Sequence, residues 1–333
     1  MALTVAITGP TGEIGMAAVR ALEADDRVER ILGMARRPFD PADHGWRKTE
    51  YRQGDILDRK AVSALVASAD VVVHLAYVIM GSRSESERVN LTGSRNVFAA
   101  TVAAERPKRL VYTSSVAAYG YHKDNPVPLT ESVPARGSSG HYYSAQKAAC
   151  EKALAELTEK TDLAVYVLRP SIVAGPDATI LLRSLPWEKL GGRIPEPLRR
   201  LLGAVPGLRP VLPDPGLHFQ LVHHDDVASA LVAATCGDGP PGAYNIAGGG
   251  DITMSDLARE LDAYAVPVPA ELVAVTAELV DLLPYVPPQA EWIHAARHPM
   301  LMDISKARRD LHWEPEHSSL ETLRAMLHVK DDA

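Results

Sequence analysis

Tyr143 and Lys147 stand four residues apart in Tyr143-Ser144-Ala145-Gln146-Lys147, inside a segment rich in Ala, Lys, Glu and Leu that reads as a helix over residues 142–161. Four residues is about one helical turn, so the phenol and the amine share a face. A phenol of ordinary pKa near ~10 is a poor base at neutral pH, and an ammonium beside it favours the phenolate. Such a pair can pass a proton to or from an oxygen atom. Upstream, Ser114-Ser115 close the run 109–114, RLVYTS, which reads as a strand. A hydroxyl at that strand end, facing a crevice, would hydrogen-bond the same oxygen and hold it in place. Taken alone, Tyr-x-x-x-Lys more often marks a solvated helix face.

The second chemistry-bearing stretch is residues 3–22, LTVAITGPTGEIGMAAVRAL. A short apolar run with interleaved threonines reads as a buried strand, and the spacing Ile14, Ala18, Leu22 reads as a helix. Between them lie Gly9, Thr11, Gly12, Glu13, Ile14 and Gly15. Strand, glycine turn and helix together point backbone N–H groups and the positive end of the helix dipole at a phosphate. Gly9 and Gly12 would allow a tight turn and close backbone approach, and Gly15 would let the helix lie near the strand. The spacing is GxxGxxG rather than GxGxxG, so an ordinary capped turn is the plainer reading of the motif by itself. Joined to the Ser-Tyr-Lys set, it predicts a dinucleotide site beside a carbon that undergoes hydride transfer while Tyr143 exchanges the proton.

The elements that must position these groups alternate along the first half. Strands are predicted at 30–34, 51–55, 70–76 and 163–168 besides the two above, with helices at 59–68 and 85–105. Arg169-Pro170 ends the sixth strand, since proline cannot donate to a ladder. This alternation predicts an α/β fold, a Rossmann-type doubly wound parallel sheet. Residues 171–220 and 265–300 are rich in proline and glycine and read as a smaller substrate-binding lobe built from two insertions. Between them a helix at 225–235 and a strand at 243–247 return to the sheet. The expected organisation is therefore a dinucleotide-binding domain over 1–170, to which 221–264 and 301–312 return.

At 333 residues, with 46% hydrophobic and 23% charged residues, the composition is that of a soluble globular chain. A net charge of −7 without long blocks of one sign argues against nucleic acid. The longest apolar run, 71–80, is too short to span a bilayer, and no basic segment precedes an apolar core at the N-terminus, as a signal peptide would need. Two cysteines, Cys150 and Cys236, form no metal pattern and suit a reduced, cytoplasmic protein. His223-His224-Asp225-Asp226 carries metal-ligand types, but adjacent histidines are expected to diverge, with Asp225 or Asp226 capping a helix, so no metal is expected.

At this point the chain resembles the extended short-chain dehydrogenase/reductases, the NAD(P)-dependent epimerase/dehydratase family. TGPTGEIG matches the family's TGxxGxxG, Gly54-Asp55-Ile56 its adenine-facing segment, His74-Leu75-Ala76 the strand end beside the cofactor, and Asn90-Leu91-Thr92-Gly93 its NxxG. SSVAAYG (114–120) matches SSxxxYG, and YSAQK matches YxxxK, while Arg169-Pro170, Gly175-Pro176 and SKARRDLHWEP also fit. The resemblance implies Ser115, Tyr143 and Lys147 as catalytic residues, with Lys147 also on the nicotinamide ribose. It implies cofactor contacts at Asp55, Ile56, Leu75, Ala76, Tyr77, Asn90, Thr113, Pro170 and Val173 besides the glycine turn. It further implies a homodimer packed through the 85–105 and 142–161 helices.

Departures from the family pattern narrow the chemistry. Members that take NAD usually place an Asp at the end of the second strand; here Ala35 is followed by Arg36 and Arg37, which suit a 2′-phosphate and point to NADP, with NAD as the alternative. The Asp-Glu pair of the sugar-nucleotide dehydratases is replaced by Val116 and Ala117, which transfer no proton. Phe219 stands where many sugar-nucleotide epimerases present an Arg to the diphosphate, and Ser171-Ile172-Val173 lacks their Asn. A less charged small-molecule substrate is expected, a ketone, aldehyde or secondary alcohol lined by Tyr77, Val78, Val116, Trp187 and Phe219. The leading expectation is a carbonyl reductase or alcohol dehydrogenase. A sugar-nucleotide 4-epimerase is the alternative, and a non-catalytic redox sensor is a third reading that retention of both Tyr143 and Lys147 argues against.

Overall fold

The structure is a computed structural model and describes residues 2–79, 83–178, 211–269 and 298–328. Its centre is a seven-stranded parallel sheet of β1 (Leu3–Thr8), β2 (Val28–Ala35), β3 (Thr49–Gln53), β4 (Val71–His74), β5 (Arg109–Thr113), β6 (Ala164–Pro170) and, later in the chain, β11 (Gly242–Ile246). The spatial order is β11-β6-β5-β4-β1-β2-β3. The strand order therefore reverses between β1 and β4, which opens a crevice at their carboxyl ends. Both faces of the sheet are covered, which explains the near-continuous apolar runs. Side chains of successive residues go to opposite faces: Val5, Ile7, Val71, Val73 and Val111 to one core, Ala6, Val72, Leu110 and Tyr112 to the other.

Helix α1 (Glu13–Ala24) covers the first face with α6 (His224–Cys236). On the second face lie α2 (Arg59–Val66), α4 (Ser94–Ala103) and α5 (Tyr142–Thr158). The helix expected over 85–105 is not uniform. It comprises α3 (Arg83–Glu87), a π-helical turn over Arg88–Gly93 and then α4. Gly93 lies where a Cβ would come within 2.5 Å of the Ile56 side chain.

Pro170 ends β6 but still sits in register with Ile246 of β11. Beyond it, β7 (Ile172–Ala174) pairs with β10 (Leu221–His223), β9 (His218–Phe219) with β12 (Ile252–Thr253), and β8 (Val211–Asp214) with β13 (Tyr264–Pro267). Leu212, Leu221, Ile252, Leu257 of α7 (Met254–Glu260), and Leu323 and Met326 of α9 (Ser319–His328) form a separate small core. Residues 252–264 thus pack with this smaller lobe rather than on the main sheet, whereas α8 (Ser305–Asp310), Leu311 and Trp313 join the main one. Most of the two proline-rich insertions lies outside the described residues.

Candidate active site

The turn after β1 is built so that only glycine serves at two of its positions. Gly9 has φ +75°, and a Cβ there would lie 2.8 Å from the Ala76 backbone. A Cβ on Gly15 would lie 2.1 Å from the Gly9 carbonyl oxygen, so Gly15 closes the helix onto its own turn rather than onto the strand. Gly12 differs: its Cβ would meet only the Gly9 oxygen, at an ordinary 3.5 Å. It is exposed and stands as the N-cap of α1 with no side-chain cap. That leaves an open approach to the start of the helix, the geometry a phosphate needs. A cleft of about 360 Å³ opens there, lined by Thr11, Gly12, Glu13, Met16, Arg20, His44 and Asp177, while Ile14 packs inward on the core.

Across the crevice, residues 75–79 follow β4. The Leu75 N–H donates to Thr8 O at 3.1 Å, and the Ala76 N–H to Thr8 Oγ1 at 3.4 Å. Asn90, fully buried in the π turn, takes the Val78 N–H at 2.8 Å and gives its own amide to Val78 O at 2.9 Å and to Gln146 Oε1 at 2.8 Å. Tyr142 donates to Ile79 O at 2.9 Å. The strand-end loop is thereby fastened to α5. Asn90 is thus a fastener of this loop, and Gln146 and Tyr142, which the sequence reading did not single out, complete the fastening. His74 lies buried between Thr8 Oγ1 (2.7 Å) and Ser94 Oγ (2.9 Å), and burial with the nearby Lys147 charge pushes its pKa down to about 3.

The three expected reacting side chains meet at the carboxyl end of β5. Ser115 caps a 3₁₀ turn over Val116–Tyr119, its Oγ accepting from the Ala117 N–H at 3.2 Å, and it lies near enough to Tyr143 to act on its phenol. His141 caps α5, its Nδ1 accepting from the Ser144 N–H at 3.2 Å, so that the helix starts at Tyr142, one residue before Tyr143. Lys147, 3% exposed, donates to Thr113 O at 2.9 Å. Its Nζ sits 3.6 Å above the centre of the Tyr77 ring and 5.9 Å from that of Tyr143. The expected lowering of the Tyr143 pKa by Lys147 is absent. Burial dominates and pushes the phenol up to about 12, with the Ser115 hydrogen bond pulling the other way. Lys147 is itself brought down to about 8 by burial.

Beneath the site, Ser114 donates to Glu151 at 2.5 Å, and Glu151 holds Arg169 at 2.6 and 3.0 Å in a buried pair. Glu151 is one turn beyond Lys147 on the same helix, a spacing that was readable, though its partner on β6 was not. The buried Thr113 Oγ1 has no hydrogen-bond partner and lies at the strand end beneath the crevice, where a polar group of a ligand would satisfy it.

Other expected residues fall as follows. Asp55 accepts from the Leu57 N–H at 2.9 Å and shapes the turn after β3. Ile56 is not offered to the crevice by its side chain but packs into the second core, against α4. Val116 likewise belongs to the first core, and Val173 packs against it from β7. Phe219 packs on the small-lobe core opposite Ile252, not beside Tyr143. Trp187 lies outside the described residues. Arg36 and Arg37 are exposed beyond the end of β2, where Tyr51 and Gln53 hold their carbonyls, and Arg36 reaches Glu85 at 3.9 Å.

The histidine cluster departs from expectation. The His223 and His224 rings do not diverge but lie 4.3 Å apart, because His223 turns back to cap α6 and takes the Asp225 N–H at 3.3 Å. Asp225 is therefore not the cap; it pairs with Arg20 at 2.6 Å. Asp226 instead accepts the N–H groups of Glu316 (2.8 Å) and His317 (3.2 Å).

Residues 5–247 match the model of the NAD dependent epimerase/dehydratase family, and the chain belongs to that family. Among its relatives are the uncharacterized protein y4nG of Sinorhizobium fredii, 29% identical over 96% of this chain and 76% of the relative, and the ceramide reductase of Caulobacter vibrioides, 32% identical over 69% of this chain and 60% of the relative. Among solved structures, a short-chain dehydrogenase/reductase superfamily protein of Agrobacterium tumefaciens with bound NAD superposes with a TM-score of 0.71 over 98% of this chain and 97% of that one, at 18% identity. The fold is that of the extended short-chain dehydrogenase/reductases.

Proposed function

We propose that the protein is an NADP-dependent oxidoreductase that moves a hydride between nicotinamide and a ketone, an aldehyde or a secondary alcohol. The observation that carries this reading is the convergence of Ser115 and Tyr143 at the end of β5 with the Lys147 amine, which is buried one helical turn along and held by Thr113 O. When bound, the dinucleotide supplies or accepts the hydride. The residues that would hold it are those of the glycine turn, with Gly12 open above α1, and the 75–79 loop with Thr113 across the crevice. Ser115 would hydrogen-bond the substrate oxygen, and Tyr143, protonated across the neutral range, would donate to it during reduction. Arg36 and Arg37, exposed at the end of β2 with no acidic residue beside Ala35, favour a 2′-phosphate over a ribose diol.

Support for reduction of a carbonyl comes from the ceramide reductase relative and from Phe219, which brings no cation to a diphosphate. The family also holds epimerases, UDP-arabinose 4-epimerases among this chain's relatives; on that reading the cofactor of this chain would be oxidised and re-reduced in place. A screen of NADPH oxidation across ketones, aldehydes and UDP- or dTDP-sugars decides between them. Net NADPH consumption with an uncharged carbonyl compound is expected. Interconversion of a sugar nucleotide without net consumption would replace the reductase by the epimerase.

A further inference from the structure

Among the described residues, no carboxylate is in contact with the buried ammonium of Lys147. The groups that face it are Tyr143, Cys150 and Glu151 from α5, His74 from β4, Tyr112 from β5 at 5.2 Å, and Tyr77. Glu151 is turned to Arg169 and Ser114, and His74, with its pKa near 3, is neutral. What remains in contact, among the described residues, is the Thr113 carbonyl and the face of the Tyr77 ring. A desolvated cation needs compensation, and an aromatic face at 3.6 Å supplies it through the ring quadrupole. The ring is itself held: Asn90 grips Val78 on both backbone groups, Tyr142 grips Ile79, and the edge of Tyr77 meets Tyr143 at 5.6 Å and 85°. Among the described residues the buried Tyr77 hydroxyl has no hydrogen-bond partner, so the contact with Lys147 is made by the ring face.

We propose that Tyr77 is a positioning residue whose ring face seats the Lys147 ammonium and keeps it charged inside the crevice, so that it acts on the reaction through Lys147 and Tyr143. The seat is read from contacts within the chain, while its effect on turnover rests on the reaction centre proposed above. The test is to titrate Lys147 directly, by the ¹³Cε shift in lysine-labelled protein assigned through Lys147→Arg, in the parent and in Tyr77→Phe, Tyr77→Leu and Tyr77→Met. Tyr77→Phe should keep the parent midpoint. Tyr77→Leu, or Tyr77→Met where leucine fails to fold, should lower it by about one pH unit or more. The alkaline limb of kcat/KM should move to lower pH by the same amount. An unchanged midpoint in the aliphatic variants, or an equal shift in Tyr77→Phe, would overturn the seat. Because the titration needs no turnover, its result stands apart from that of Tyr143→Phe, which tests the reaction centre.

Discussion

Tyr143 is a phenol that its surroundings keep protonated. Burial pushes its pKa to about 12, the neighbouring Tyr142 adds to this, and only the Ser115 hydrogen bond opposes it. It is therefore set to give a proton before it can take one, which suits reduction at neutral pH. Tyr143→Phe should lower kcat for the best carbonyl substrate by about 10²–10⁴-fold while NADPH still binds, as measured by quenching of intrinsic fluorescence. Turnover near that of the parent would remove Tyr143 from the chemistry. At the far end of the cofactor site, the R36E/R37E double variant should weaken NADPH binding by about 10–100-fold, the range of one or two charge-assisted hydrogen bonds, and leave NADH nearly unaffected. An unchanged preference would assign these arginines to a solvated turn. Ser115, Tyr143 and Lys147 were legible in the sequence only when their spacing was joined to the glycine turn and the family resemblance. The direction of the Tyr143 shift was not, because spacing places charges but does not report how much water a fold removes. The Tyr77 seat left only a faint signal, an aromatic residue three positions after the strand-end His74.

At the scale of elements, the glycine turn and the π turn hold the two walls of the crevice. Gly15→Ala would place a methyl 2.1 Å from the Gly9 oxygen, so the turn must open. Nucleotide binding should be lost and the melting temperature lowered, since overpacking of this kind costs about 1–3 kcal/mol. Asn90→Ala would strip both backbone groups of Val78 of their partner. We expect a loss of about 2–4 kcal/mol in urea unfolding, from two backbone groups left unsatisfied, and faster amide exchange confined to residues 75–79. Uniform exchange in the variant would show that the loop has other anchors. The inner strands and their alternation with helices were readable because β1, β4 and β5 are covered on both faces and their runs are mostly apolar, whereas the polar edge strand β3 (TEYRQ) gave a weaker signal. The π turn was not readable, for nothing in Arg-Val-Asn-Leu-Thr-Gly distinguishes an extra residue in a helix from a regular turn; it exists because Asn90 must face Val78 while Gly93 passes Ile56.

For the whole molecule, the buried histidines set an acid limit. His74 falls to about 3 and His223 to about 4, both chiefly through burial, against an ordinary value of 6.5. The unfolded chain therefore binds these protons first. The stability they leave intact is present above pH 6.5 and is lost as pH falls toward 4, by roughly 1.4 kcal/mol per pH unit for each histidine. Urea midpoints at pH 7.5 and pH 5 should differ accordingly; equal midpoints would mean that both rings are protonated in the folded state. Among the described residues no helix is long and apolar enough to cross a membrane. We propose that two copies associate through the outer faces of α4 and α5, where the exposed Arg95–Glu156 pair bridges the helices at 3.3 Å; sedimentation should give a species of twice the chain mass. The lobe boundary was less legible than the sheet, because residues 252–264 carry an ordinary amphipathic pattern that does not say which core it joins.

The π turn makes one wall of the crevice unusually tolerant of losing a residue. Deleting the exposed Thr92 would return the segment to the regular 3.6-residue repeat, swinging Asn90 by about 100° around the axis relative to α4. The shortened chain should fold, its helix straighter than before. Yet it would have exchanged a latch for a plain rod, and the strand-tip loop would be left to find its place each time a nucleotide arrives.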